Sequence, residues 1–306
     1  MVTGVQTCAL PICPQKVLLS VIGTDADLVQ VGAAALASSD FDYLAVPDDA
    51  DEDDLEAIVT WLEGIRAKYS VGKAVLPDHA ADNMAVINFS ASGIQAGGST
   101  YTGAQYCSRI AGLLAGTPLT NSATSAVLEE VTGVTAVADP DAAVAAGKLI
   151  LVHDGRKAKL GRAVNSLVTV PTDQSEALKK IKIVAAVDLI RREGKLLIED
   201  QYTGQGNSYD NKLVMVAAFQ DFLAQLENEG VLQSGSGYAE LNLEKQRAWL
   251  KEQGVDVASM TDQDILKADT GSYIWIRMGG TILDGMEDFD LEFYMGSGTV
   301  TGGSAA

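Results

Sequence analysis

The chain has 306 residues, 47% of them hydrophobic and 21% charged, and a formal net charge of −19. That is enough chain for two domains with real cores, and an ordinary globular composition. The acidic balance argues against a nucleic-acid binder, no apolar run approaches a membrane span, and three cysteines (Cys8, Cys13, Cys107) give neither a disulfide framework nor a paired zinc motif. Synthesis in a reducing cytoplasm is the expectation.

Residues 1–13, MVTGVQTCALPIC, carry no basic n-region and so no secretory signal. They resemble a translated sequencing-adapter read-through, and we set them aside as a non-native segment. Lys16–Ile22 (KVLLSVI) reads as a strand and Asp25–Leu36 as a helix with acids at its start. Phe41–Val46 is a second strand, stopped by Pro47. Asp51–Tyr69 is a helix whose apolar positions Leu55, Ile58, Val59, Leu62 and Ile65 share a face behind an acidic first turn. Val71–Leu76 and Met84–Phe89 follow as strands. This alternation predicts a parallel sheet with helices on its faces.

Gly93–Gly103 reads as a Gly/Ser/Thr-rich loop. It leads into a helix of small residues with Tyr106, Ile110, Leu113 and Leu114 on one face, ended near Gly116 by Pro118. Leu128–Val137 holds a short strand and Pro140–Ala146 a small helix. Leu149–Leu160 is a hairpin turning at Asp154-Gly155. Val164–Val170 is expected as the last strand of this domain, with a boundary at Pro171–Ser175.

Beyond it, Glu176–Glu199, Asn207–Glu229 and Leu243–Gln253 read as helices, the second closed by Gly230 and the third by Gly254. A short fourth starts at Thr261-x-x-Asp264. Tyr273–Leu283 alternates as a strand, Asp284–Asp288 turns it, and Phe289–Met295 forms a second strand with Phe289, Leu291, Phe293 and Met295 on one face. The Gly/Ser/Thr tail is flexible in character.

Chemical motifs are weak throughout. His79 and His153, the only histidines, sit in loop and turn contexts, and Cys107 lies inside the small-residue helix as a packing thiol. There is no G-x-S-x-G elbow, no glycine spacing for a dinucleotide after Gly23, and no calcium-loop spacing in the acid run Asp48–Asp54. Charge is uneven. Asp40–Glu56 is acidic without a base, whereas Lys148–Lys195 gathers half the cations, among them Lys179, Lys180, Lys182, Arg191, Arg192 and Lys195. This is either ordinary solvated surface or a face matched to an acidic partner.

Three segments carry a family resemblance: Gly103–Leu128 (GAQYCSRIAGLLAGTPLTNSATSAVL), Ser208–Lys212 (SYDNK) and Gln246–Ala268 (QRAWLKEQGVDVASMTDQDILKA). In this order they resemble contractile tail sheath proteins of phages and of R-type bacteriocins from Gram-positive bacteria, over roughly Pro14–Met295. The resemblance implies a subtilisin-like core fold without its chemistry, since no Asp/His/Ser order with local motifs is present. It implies no enzyme, cofactor or metal. It implies a structural subunit that assembles with itself into hexameric rings around an inner tail tube protein, bounded by baseplate and terminator, with no nucleic acid and no membrane insertion. Manufacture in the bacterial host cytoplasm and residence in the particle tail follow. A terminator-like subunit of the same fold and an α/β hydrolase stand as alternatives.

The expected architecture is thus α/β: a helix-flanked, mostly parallel sheet over 14–172, an α+β domain over 173–283, and a terminal hairpin or arm over 284–306. By its pattern alone, Phe289–Met295 is either an edge strand of its own sheet or a strand donated to a neighbour. The resemblance favours donation, and the basic residues from Lys179 to Lys195 are expected to face an acidic partner surface.

Overall fold

The computed structural model describes residues 14–23, 27–36, 39–68 and 70–293. Its centre is a five-stranded sheet built from β1 (Tyr43–Ala45), β2 (Lys73–Pro77), β3 (Val86–Ser90), β7 (Lys148–His153) and β8 (Ala158–Leu160), in that order. The first four strands run parallel and β8 pairs antiparallel with β7. Both faces of a parallel sheet must be covered, and the near-continuous apolar runs of β2 and β3 reflect this.

Helix α2 (Glu52–Ala67) covers one face. Its first turn is acidic, as its sequence predicts, and Asp51 and Asp54 form a reciprocal capping box. Its Leu55, Ile58 and Leu62 pack on Ala74, Leu76 and Val86. Helix α3 (Gly103–Gly116) covers the other face, capped by Thr102 and Gln105, with Tyr106, Cys107, Ile110 and Leu113 against Ile87, Phe89 and Leu149. Helix α4 (Pro140–Ala145) precedes β7. The expected loop before α3 is in fact a hairpin, β4 (Ile94–Ala96) and β5 (Ser99–Tyr101), joined by Gly97-Gly98, both at positive φ, and extended by β6 (Val131–Gly133). Paired glycines supply the positive φ that a two-residue hairpin turn requires.

Two expected strands do not form ladders. Lys16–Ile22 is extended, with Val17, Leu19 and Val21 turned outward, but no strand pairs with it. It borders a cleft of about 980 Å³ shared with β1, the end of α3 and α5. The helix after it begins as a π-helical turn, Leu28–Ala33, capped by Asp27 and continued by α1 (Ala34–Leu36); Asp25 lies outside the described residues. Val164–Val170 is likewise irregular. Its backbone groups find scattered partners: the N–H of Asn165 and Ser166 bond the carbonyls of Lys179 and Val86, and Asp82 Oδ1 accepts from the N–H of Val168 and Thr169.

The remaining chain packs around a second core. A 3₁₀ turn, Glu176–Lys179, precedes α5 (Ile181–Gln201), because Lys180 is extended and breaks the expected single helix. Met215, Phe219, Leu223 and Leu226 of α6 (Tyr209–Asn228) bury against Ala186, Leu232, Ala239 and Leu241. A strand that the sequence reading lacks, β9 (Tyr238–Leu241), pairs antiparallel with β10 (Ile276–Gly279). Helices α7 (Leu243–Glu252) and α8 (Asp262–Lys267) lie between them in sequence, α8 with the Thr261–Asp264 capping box. The hairpin expected between Tyr273–Leu283 and Phe289–Met295 is therefore replaced by β9–β10. Residues 289–293 join no ladder, and Met295 lies outside the described residues.

Candidate assembly surfaces

After β10 the chain crosses back to the parallel-sheet domain. An isolated bridge between Leu232 and Ile282 marks its departure. Residues 284–288 then form a strap whose acids find cations. Lys180 Nζ is 2.5 Å from Asp284 Oδ2 and 3.4 Å from Glu287 Oε2, and Arg162 pairs with both Glu287 and Asp288. Ser122 and Thr124, in the turn after α3, each donate a hydroxyl to Glu287 Oε1 at 2.6 Å. Burial alone would raise the Glu287 pKa; the hydrogen bonds from Ser122, Thr124 and Arg162 and the charge of Lys180 outweigh it and hold it below the usual carboxylate range.

The arm beyond the strap is the opposite in character. Phe289, Leu291 and Phe293 are 80%, 91% and 85% exposed. Such a cluster of large apolar groups in water, alternating with Asp288, Asp290 and Glu292, marks an interaction segment. Of the three sheets, β9–β10 is only two strands wide, and β1 of the five-stranded sheet has no outer neighbour among the described residues, so both offer unpaired edges. Next to β10, Tyr273 and Trp275 stack with ring centroids 5.8 Å apart, and Trp249 leans on both.

The six basic residues singled out by sequence do not gather into one open patch. Lys179 pairs with Glu176 at 2.7 Å and Lys195 with Glu199 at 3.6 Å. Lys180 holds the strap. Lys182 is buried, donates to the Thr120 carbonyl at 3.2 Å, and has its pKa lowered by burial. Arg191 donates to the Arg66 carbonyl, and Arg192 to Asp42 at 3.1 Å. The partners of Lys179 and Lys195 lie within one helical turn, whereas those of Lys180, Lys182, Arg191 and Arg192 lie far away in the chain, where sequence spacing cannot find them.

Burial pushes the Cys107 thiol up to about 12, with Asp78 adding to the effect, so it is protonated and inert. His79 is buried beside Glu52, and His153 accepts from the Gly155 N–H inside its turn. Among the described residues no group of His, Cys, Asp and Glu could hold a metal, and no helix is long and apolar enough to cross a membrane. In α3, Arg109 and Tyr106 both donate to Glu130, at 2.7 and 3.0 Å, which fixes the helix to the turn before β6.

No family model matches the chain. It is 35% identical over 286 residues to a tail sheath protein of Clostridium phage phiCD119, an alignment that covers 92% of this chain and 79% of that one. The fold resembles the sheath tail protein of Desulfitobacterium hafniense, with a TM-score of 0.62 and 19% identity over 68% of this chain and 51% of the other. It also resembles the sheath tail protein of Listeria innocua, with a TM-score of 0.63 and 17% identity over 83% and 59%. The helical sheath of the anti-feeding prophage in its contracted state matches with a TM-score of 0.64 and 15% identity, over 90% and 76%. The chain thus spans 51% and 59% of the length of the two sheath tail proteins.

Proposed function

This chain belongs to the contractile tail sheath protein family, and on that premise we propose that it polymerises into a helical sheath and works by changing its packing there. The observation that carries the proposal is the extended sequence identity to a phage tail sheath protein. The exposed arm and the open sheet edges support it, because they suit a subunit that completes its structure only in a lattice.

In this reading the subunit does no covalent chemistry. Each copy has two arrangements against its neighbours, and the change from one to the other shortens the sheath. Residues 289–295 leave the subunit as a strand and extend a neighbour's sheet, with main-chain hydrogen bonds giving affinity and Phe289, Leu291, Phe293 and Met295 giving specificity. Links of this kind survive a reorientation that replaces the contacts between subunit bodies. Further copies of the chain are the first partners, then the other components of the particle. At the finer level, stacked six-membered rings surround an inner tube, and sheath contraction drives that tube through a target envelope. Of the basic residues, Lys179, Arg192 and Lys195 sit on partly exposed ion pairs that an acidic partner could rearrange.

Negative-stain microscopy of concentrated protein tests the proposal. Hollow, cross-striated tubes are expected; protein that stays monomeric at every concentration and salt condition would overturn it.

A further inference from the structure

The strap and the arm differ at a single point. Met286 is 88% exposed and Phe289 80%, yet the Glu287 side chain between them is 4% exposed. A carboxylate on an open segment goes to water unless donors outbid the solvent, since burial of an unpaired charge costs several kcal/mol. Glu287 has four donors from three separate parts of the chain: Ser122 and Thr124 after α3, Arg162 after β8, and Lys180 before α5. Thr124 Oγ1 also accepts from the Ala163 N–H at 2.9 Å, so the receiving groups are themselves tied into the parallel-sheet domain. Gly285 points the same way: a Cβ there would lie 2.8 Å from Ser122 Cβ, so the strap rests flat on that turn.

We propose that Glu287 is the anchor that fixes the root of the arm to the subunit's own α/β domain. This rests on the donated-strand reading for its role in the lattice. A strand held by a neighbour then pulls on the turn at Ser122–Thr124, on Arg162 and on Lys180, and not on β10. The two-stranded β9–β10 sheet, the weaker element, is shielded from that pull. The free length of the arm begins after Glu287 and not after Leu283, whose N–H bonds the Val231 carbonyl at 2.9 Å. Glu287 is a positioning residue: it sets where the arm starts and which way it leaves.

Pulsed dipolar spectroscopy on the full chain tests the anchor before any assembly. With Cys8→Ser and Cys13→Ser as background, spin labels go at Phe289→Cys and Arg156→Cys, both exposed positions. With an anchored root the label is the second residue after Glu287; with a free one it is the sixth after Leu283. Chain statistics then set an upper bound of about 1.7-fold on the broadening in Glu287→Gln, reached if the Asp284–Lys180 and Asp288–Arg162 pairs let go with the anchor. Thr124→Val, on the receiving side, should broaden it too, with a lower thermal midpoint because the Ala163 N–H also loses its acceptor. The Glu287 carboxylate is flanked by Asp284 and Asp288 and faces Arg162, Lys180 and Lys182. Its folded-state pKa is depressed, so the anchor holds at neutral pH and is lost as pH falls through that depressed value, with the same broadening. A distribution already broad in the parent, or equally narrow in Glu287→Gln, overturns the anchor. Because the measurement uses unassembled protein, failure of strand donation leaves its outcome unchanged.

Discussion

Asp188, on α5, and Arg66, in the last turn of α2, meet in a two-point fork with N–O distances of 2.8 and 3.0 Å. Lys73 of β2 reaches the same carboxylate at 3.0 Å and lies over the Tyr43 ring, 5.0 Å from its centroid. All three charged residues are buried, so one carboxylate is shared by two cations at the junction of the parallel sheet and the long helix. Burial lowers the Lys73 pKa, and Asp188 counters part of that shift.

Asp188→Asn should therefore be among the most damaging single substitutions. It keeps the volume but leaves Arg66 and Lys73 facing each other unneutralised, and removal of one partner from a buried ion pair costs about 3–5 kcal/mol. Urea unfolding should show a much lower midpoint with unchanged slope. A midpoint within experimental error of the parent's would mean that the cations find water or another acid.

How far the sequence was legible follows from the range of each interaction. The acidic first turn of α2, the helix α3 and the Asp154-Gly155 turn are written within a few residues of themselves, and each formed as read. The Gly97-Gly98 hairpin was equally local; its signal lay in the paired glycines and was passed over as composition. The misreadings concern pairing. Tyr238–Leu241 is short and only half apolar, and its strand character comes from β10 and α6. Lys16–Ile22 has the alternation of a strand but no ladder partner. The strap and its cations are separated by more than 100 residues, so the sequence groups Lys180 with the basic residues expected to face an acidic partner, whereas the fold brings Asp284 to it.

Helix α3 gives a paired prediction. A Cβ on Gly103 would sit 2.6 Å from the Ala91 carbonyl oxygen, a backbone atom, so Gly103→Ala must push the helix start off the end of β3. A loss of about 1–3 kcal/mol is expected from such overpacking. Gly112, in the same helix, has only Pro14 within 4 Å, at ordinary contact distance. Gly112→Ala should stabilise by about 0.5–1 kcal/mol through helix propensity and the lost freedom of the unfolded chain. Thermal melts of the two variants should move in opposite directions; movement in the same direction would refute the close-packing account of this segment.

Lysines 179 and 180 separate effects within the chain from effects on a partner. Lys180→Glu places a third acid beside Asp284 and Glu287, so it should release the strap in the isolated protein. Lys179→Glu loses only a partly exposed pair with Glu176, worth at most about 1 kcal/mol, and should leave the strap in place. If the basic region also faces an acidic tube, both variants reduce co-sedimentation of sheath with tube at low salt. Full co-assembly of Lys179→Glu at low salt would confine the role of this region to the strap.

Removal of Asp288–Ala306 tests the arm itself. The described part of that segment contributes no ladder, while Glu287 and its donors Ser122, Thr124, Arg162 and Lys180 remain. The truncated protein should fold, with a circular dichroism spectrum and melting midpoint close to the parent's. Burial of an exposed side chain of this size contributes about 1.5–3 kcal/mol, and Phe289, Leu291 and Phe293 all become available for it only in a neighbour's sheet. Loss of all three, together with the main-chain pairing, should abolish polymerisation, read as absence of pelletable tubes at concentrations where the parent assembles. Normal tubes from the truncated chain would show that contacts between subunit bodies suffice, and would return residues 289–295 to an unpaired tail.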